Sequence, residues 1–502
     1  NFILRRLFAS AYQRSQLKSY SIYLNYTSTP GNRTRKITPP PLMKTETRKT
    51  LNNKFRVALS VTAFAALSMA TSALAANVTK SSTGTDLTAA ASWNGGSGPA
   101  PTSADVAVWD TGSLGTGLTL NSGTPGWLGI LLNAGATDPI NIASGGTLTL
   151  GTSGINMSAS AINATIGCDL SLASGYQSWT VNSGQTLAIN GNLTRAPGAS
   201  MSFPTTGVTS TTLNNDSSGI LGGWATVTGT LDWAANDGSG NITNYTGYTS
   251  VTGTLAPNAA QNWKNTGTVT LSSSGTLNSM NVAGGDLAVG TTTLTLGSGG
   301  LILGGTERWV SGTGGAINSG LASGKLYIHA NAASFINGFQ IQPKIVDGSA
   351  STAVIKDGSG QCEMGNGAST FSGGFYLNAG SVYLGASSTG SGGAPSQGPL
   401  GTGTVTLNGG TLYPYGKNVG TTTSAGYTLA NNINIPAGAS ATINNGGLNA
   451  VLSGNISGVV PTFLGTGITA LQGANTYSGN TLITVGTLGI GNAAGVNNNL
   501  ST

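Results

Sequence analysis

Charge, histidine, cysteine and long apolar runs are all scarce in this 502-residue chain. Charged residues make up 7% and aromatics 6%, with one histidine and two cysteines. So little charge excludes a solvated polyelectrolyte, and a mean hydropathy of +0.07 with regularly placed Leu, Val and Ile excludes ordinary disorder. Beyond residue 75 no apolar run is long enough to cross a membrane as a helix, which takes about 20 residues. No Asp-x-Asp occurs, so carboxylates do not fall in pairs on one face of a strand.

Glycine is abundant instead, with 79 residues, alongside much Thr, Ser, Asn and Ala. Together with the Leu, Val and Ile, this composition predicts a many-stranded β-protein punctuated by glycine turns. The net charge of +6 suggests a nucleic-acid binder only until the basic residues are located. Twelve of the 20 lie before residue 76, leaving eight against thirteen acids, a net of −5 for residues 76–502. Nucleic acid is not an expected partner.

The basic segment reads as a targeting device. Lys44 to Arg56 form a basic region, an apolar run spans 57–70, and Ala73-Leu74-Ala75 is a small-residue cleavage site, so 43–75 is read as a signal peptide. Residues 1–42 begin with Asn, contain no acid, and are read as an upstream extension outside the mature protein.

The clearest organisation lies in two stretches that align over 19 residues without a gap: GASTFSGGFYLNAGSVYLG at 367–385 and GANTYSGNTLITVGTLGIG at 473–491. Seven positions are identical, including the Gly380/Gly486 pair, where composition alone gives roughly two. Parity places Leu377 with Ala379, and Ile483 with Val485, on one face of a first strand. After a bend at Gly380 or Gly486, Val382 with Leu384 and Leu488 with Ile490 do the same on a second. One such strand-bend-strand unit cannot enclose a core and must stack on copies of itself.

The motif resembles the autotransporter-associated β-strand repeat of large exported bacterial proteins. The resemblance is close over fewer than forty residues, with Gly374 and Phe375 replacing the usual polar pair in the first copy. Segment 398–412, GPLGTGTVTLNGGTL, is similar to the family's inter-repeat sequence. The resemblance implies a right-handed parallel β-helix and brings no activity with it.

From the residues, 76–120 is expected to be a non-repetitive N-terminal cap, with Trp93 and Trp109 as the alternative basis of a small carbohydrate-binding face. Residues 121–345 read as an irregular, Trp-bearing β-solenoid and 346–502 as a regular one carrying the repeats. Short strands recur at spacings near 20, as in GTLTL at 146, GCDLSL at 167 and GQTLAI at 184. An antiparallel sandwich also suits short strands, but would need several domains, and no linker interrupts 121–502. One continuous rod on the order of 100 Å is therefore expected. Along such a rod Cys168 and Cys362 would lie roughly 45 Å apart, too far for a disulfide, and the parity of Cys168 with Leu170 and Leu172 makes it a small buried hydrophobe. The absence of a starting Met and of a C-terminal cap or barrel-forming strands suggests a fragment of a larger product, with no outer-membrane translocator in this chain.

Candidates for chemistry are few. Asp105/Asp110 and Asp232/Asp237 are five apart and Asp357/Glu363 six. Among carboxylates of neighbouring turns, Asp347, Asp357 and Glu363 with Lys356 are the best set, although Asp357 in KDGSG also reads as a turn residue. His329 in KLYIHANA has opposite parity to Leu326 and Ile328, which places it on the outer face with no evident acid to orient it. Asp237 in DGSGN has the flavour of a Ca²⁺ loop, but Trp233 and Ala235 stand where ligands belong. No catalytic residue, metal or cofactor is assigned. The expected function is that of an exported, surface-associated structural or adhesion-type β-helix without catalysis, its partners polysaccharide or cell-surface components. The alternatives are a polysaccharide lyase or hydrolase and a carbohydrate-binding module; an amyloid-like matrix is disfavoured by the glycine.

Overall fold

The computed structural model describes residues 75–331, 338–416 and 426–491, and the backbone of 498–501. The upstream extension and all but the last residue of the signal segment lie outside the described residues. The chain is nearly all β, with parallel sheets stacked into a β-solenoid of about 16 turns. Two short 3-10 turns, Ala90–Ser92 and Asn94–Gly96, interrupt the first segment.

The stacking follows from the register. In the repeat-bearing part, Cys362 lies opposite Val382, Val382 opposite Leu412, Leu412 opposite Ile443, and Ile443 opposite Phe463. A second column runs Val354, Phe375, Val405, Ile433, Ile456. Each column is buried, so every turn covers the apolar residues of the one before it. The bend glycines have the backbone the repeat requires, with φ of 69° at Gly380 and 95° at Gly486. Leu377, Val382, Leu384 and Leu488 face inward as their parity predicts. Val485 and Ile490 are instead 47% and 44% exposed, because their turn has a parallel neighbour on one side only among the described residues.

The stack is not one straight rod. One core runs from Val78 to Ile242 and a second from Leu255 to Leu488. Near the end of the first core the parallel order breaks: strands Ala225–Val227, Asp232–Asn236 and Asn241–Asn244 pair antiparallel. Parallel pairing resumes where Thr249–Leu255 joins Asn262–Leu271, and it passes residue 345 without a break. The second stack then returns alongside the first. Gly223 meets His329, Gly198 meets Asn378 and Ser174 meets Asn408, so rising numbers in one arm face falling numbers in the other. Tyr327 and Ile355, which point out of the second coil, belong to the core of the first arm. Such apolar outward positions gain by burial at about 25 cal/mol per Å², and the fold-back supplies it.

Cys168 and Cys362 sit buried in different cores. Burial pushes the Cys168 thiol up to about 11, in keeping with its reading as a small hydrophobe.

Candidate functional site

The residues with chemical potential gather where the two arms meet. Strand Lys325–Asn331 alternates strictly: Leu326 and Ile328 face the second core, while Tyr327 and His329 face the first arm. His329 is thus on the outside of its own coil, as parity predicts, yet it is completely buried. The expectation that it lacks an acidic partner is corrected by the next turn. Asp357 is its register neighbour, and Nδ1 lies 2.6 Å from Asp357 Oδ1.

The other ring nitrogen, Nε2, lies 2.7 Å from the Gly223 carbonyl of the opposite arm. A carbonyl oxygen only accepts, so Nε2 carries a proton. Burial opposes a charge on the ring, but the Asp357 carboxylate and the Gly223 carbonyl outweigh it and raise the imidazole pKa. With both nitrogens occupied and no exposed surface, His329 has no free lone pair for a substrate. It acts as a pin between arms, and Trp233 packs edge-on against it at 5.4 Å.

The four residues expected to converge do not. Lys356 and Asp357 are adjacent on strand Ala353–Asp357 and point to opposite faces. Lys356 turns inward, where its ammonium donates to the carbonyls of Gly358, Gly360 and Ala379 at 3.0, 2.6 and 2.8 Å; burial lowers its pKa to about 8. Asp357 is the buried last residue of its strand, ahead of the turn. Asp347 ties neighbouring turns by accepting from Thr352 N, Ser372 N and Ser372 Oγ. Glu363 is buried on Gln361–Met364, opposite Gln340 and Tyr383.

The aromatic alternative in the first segment is overturned. Trp93 and Trp109 are buried and pack against each other and Trp127 with ring centroids 5.5 to 6.2 Å apart, so neither offers a face to a sugar. Asp237 is consumed by its own turn, accepting from Ser239 N, Asn241 N and Asn241 Nδ2. No cluster of three His, Cys, Asp or Glu suited to a metal occurs among the described residues.

One cleft is lined by two cations and a carboxylate. It has a volume of about 440 Å³ and lies between the arms, lined by Arg195, Asp216 and Trp224 of the first and by Asn278, Lys325 and Tyr327 of the second. The Arg195 guanidinium lies 4.0 Å above the Trp224 ring, a favourable cation–π placement. The guanidinium hydrogen-bonds the Tyr327 hydroxyl, while its Nε is buried without a hydrogen-bond partner. Burial lowers the pKa of Arg195, and burial followed by the charge of Arg195 lowers that of Lys325. Neither cation forms an ion pair among the described residues. Asp216, the carboxylate in the same lining, is held by Ser218 N, Ile220 N and Asn278 Nδ2. Sequence reasoning missed this site because its cations come from different arms, and no local pattern around either carries a signal.

No protein-family model, curated protein or solved structure matches the chain.

Proposed function

We propose that the protein is an exported, surface-associated structural or adhesion-type element, built as a β-solenoid and working without catalysis. The observation that carries this reading is the stacked repeat. Parallel ladders run along each arm, interrupted in the first by the antiparallel strands near its end, and the interior is filled by Val, Leu, Ile and Phe columns. Main-chain bonding turn by turn gives stiffness along the stack, and the fold-back doubles its thickness. Positions facing away from the core are largely Thr, Ser and Asn, such as Thr406, Asn434 and Ser457, so the surface is polar and nearly neutral, suited to many weak contacts that add through multivalency. The signal-like segment 43–75 and the resemblance of 473–491 to exported repeat proteins support the location. Among the described residues no helix is long and apolar enough to span a membrane.

The test is protease treatment of intact cells that express the chain, followed by peptide mapping. Release of peptides from 76–502 without lysis is the expected result. Full protection in intact cells, with the chain recovered in the cytoplasmic fraction, would refute the reading.

A further inference from the structure

We propose that the cleft between the arms at Arg195 and Lys325 is a binding site for an acidic sugar, taking the carboxylate of a uronate residue in an extracellular polysaccharide. The identity of the ligand rests on the surface reading above; the existence of the site does not.

Residues 76–502 hold only eight basic side chains, and most of those described are already engaged. Lys80 and Lys356 are buried against backbone carbonyls, Lys264 pairs with Asp232 at 2.8 Å, and Arg308 donates to the Ala283 carbonyl. Arg195 and Lys325 are different. They line one cleft, both are withdrawn from water in part, and neither forms an ion pair: Arg195 is held by the Tyr327 hydroxyl and the Trp224 ring, and Asp216, the carboxylate in the same lining, is bonded to Ser218 N, Ile220 N and Asn278 Nδ2 instead. Two like charges held together under partial burial are costly unless an anion joins them. An incoming carboxylate would restore the balance, with the guanidinium fork able to bind it through two hydrogen bonds and the ammonium adding a point charge.

The remaining walls decide the kind of anion. Leu221 and Leu321 provide apolar surface beside the Tyr327 ring, while Asn278 and Ser323 provide neutral polar groups. Apolar walls suit the C–H faces of a sugar ring, and amide and hydroxyl groups suit its hydroxyls. The volume of about 440 Å³ is that of a small-ligand site. The net −5 of residues 76–502 disfavours a broad polyanion footprint such as nucleic acid and favours recognition at a confined positive spot.

The experiment is isothermal titration of the full chain with an unbranched galacturonate oligomer, a sulfated oligosaccharide, a neutral glucose oligomer and inorganic phosphate. The galacturonate oligomer is expected to bind with an affinity that falls as salt is raised, and the others weakly or not at all. Arg195→Met and Lys325→Met should each weaken binding by about tenfold or more, as loss of a charge-assisted contact does. Because Arg195 packs on Trp224, Ser323→Trp serves as a second probe. Residue 323 is exposed on the cleft wall, and an indole there should block binding while both cations and the melting temperature are kept. Equal binding of the neutral oligomer, or binding unaffected by Lys325→Met and Ser323→Trp, overturns the site. Tighter binding of phosphate or of the sulfated sugar overturns the uronate assignment. These outcomes are read on purified protein, so they are independent of the protease result on cells.

Discussion

Replacing His329 with Phe tests the inter-arm pin most directly. The imidazole spans from Asp357 Oδ1 at 2.6 Å to the Gly223 carbonyl at 2.7 Å with no exposed surface. Phe fills the volume but leaves the buried Asp357 carboxylate without its counter-charge, and Asp357 Oδ2 already has no hydrogen-bond partner. Breaking a buried pair on one side costs about 3–5 kcal/mol. Removing both charges with His329→Phe plus Asp357→Leu should cost clearly less, since no buried charge is then left uncompensated and the Gly223 carbonyl loses its donor equally in both variants. The pH dependence has a definite sign. The folded-state pKa of His329 is raised above its unfolded value, which is about 6.5. Its contribution is therefore fully present below about pH 6.5 and is lost as pH rises through the folded pKa. Urea unfolding followed by tryptophan fluorescence, with Trp233 in contact with the ring, reads both effects. The wild-type midpoint should fall on moving from pH 6 to alkaline pH by more than that of the double variant. The reasoning is refuted if the single variant is no less stable than the double one, or if the two pH profiles coincide.

The lysine inside the second arm gives an opposite slope: the Lys356 pKa is lowered to about 8, so the wild type gains stability between about pH 8 and 10.4 as the unfolded chain alone stays protonated. Lys356→Met should remove that gain in a melting-temperature series and, by taking the ammonium donor from the carbonyls of Gly358 and Ala379, cost about 2–5 kcal/mol. Gly380→Ala places a Cβ against Lys356 Nζ and the Gly358 carbonyl at a φ of 69° and should destabilise by about 2–4 kcal/mol. Gly438→Ala has a similar φ of 81° but open space, and should cost only about 1 kcal/mol by the same urea midpoint. Asn378 donates to Gly198 O and Ser200 Oγ across the arms at 2.8 and 3.0 Å. Asn378→Leu should cost about 1–3 kcal/mol and raise hydrogen exchange at both facing strands, whereas an effect confined to one arm would contradict the packing described.

How far the sequence reaches is visible in particular residues. The repeat at 367–385 and 473–491, the parity of Leu377, Val382 and Leu384, and the positive-φ bends at Gly380 and Gly486 were all legible, because a stacked turn is specified by its own strands and its nearest neighbour. Cys168 as a buried hydrophobe was legible for the same reason. Even the outward direction of His329 could be read from Leu326 and Ile328. What the outward face meets could not. That Asp357 is a charge partner as well as the residue before a turn depends on the register between neighbouring turns; that Tyr327 and His329 are buried and that Arg195 lines the same cleft as Lys325 depend on the chain reversing before Leu255. Local periodicity fixes which side of a strand a residue occupies; only the packing of one arm on the other decides whether that side is water, core or cleft, because those contacts join residues more than a hundred positions apart through space rather than through any pattern in the chain.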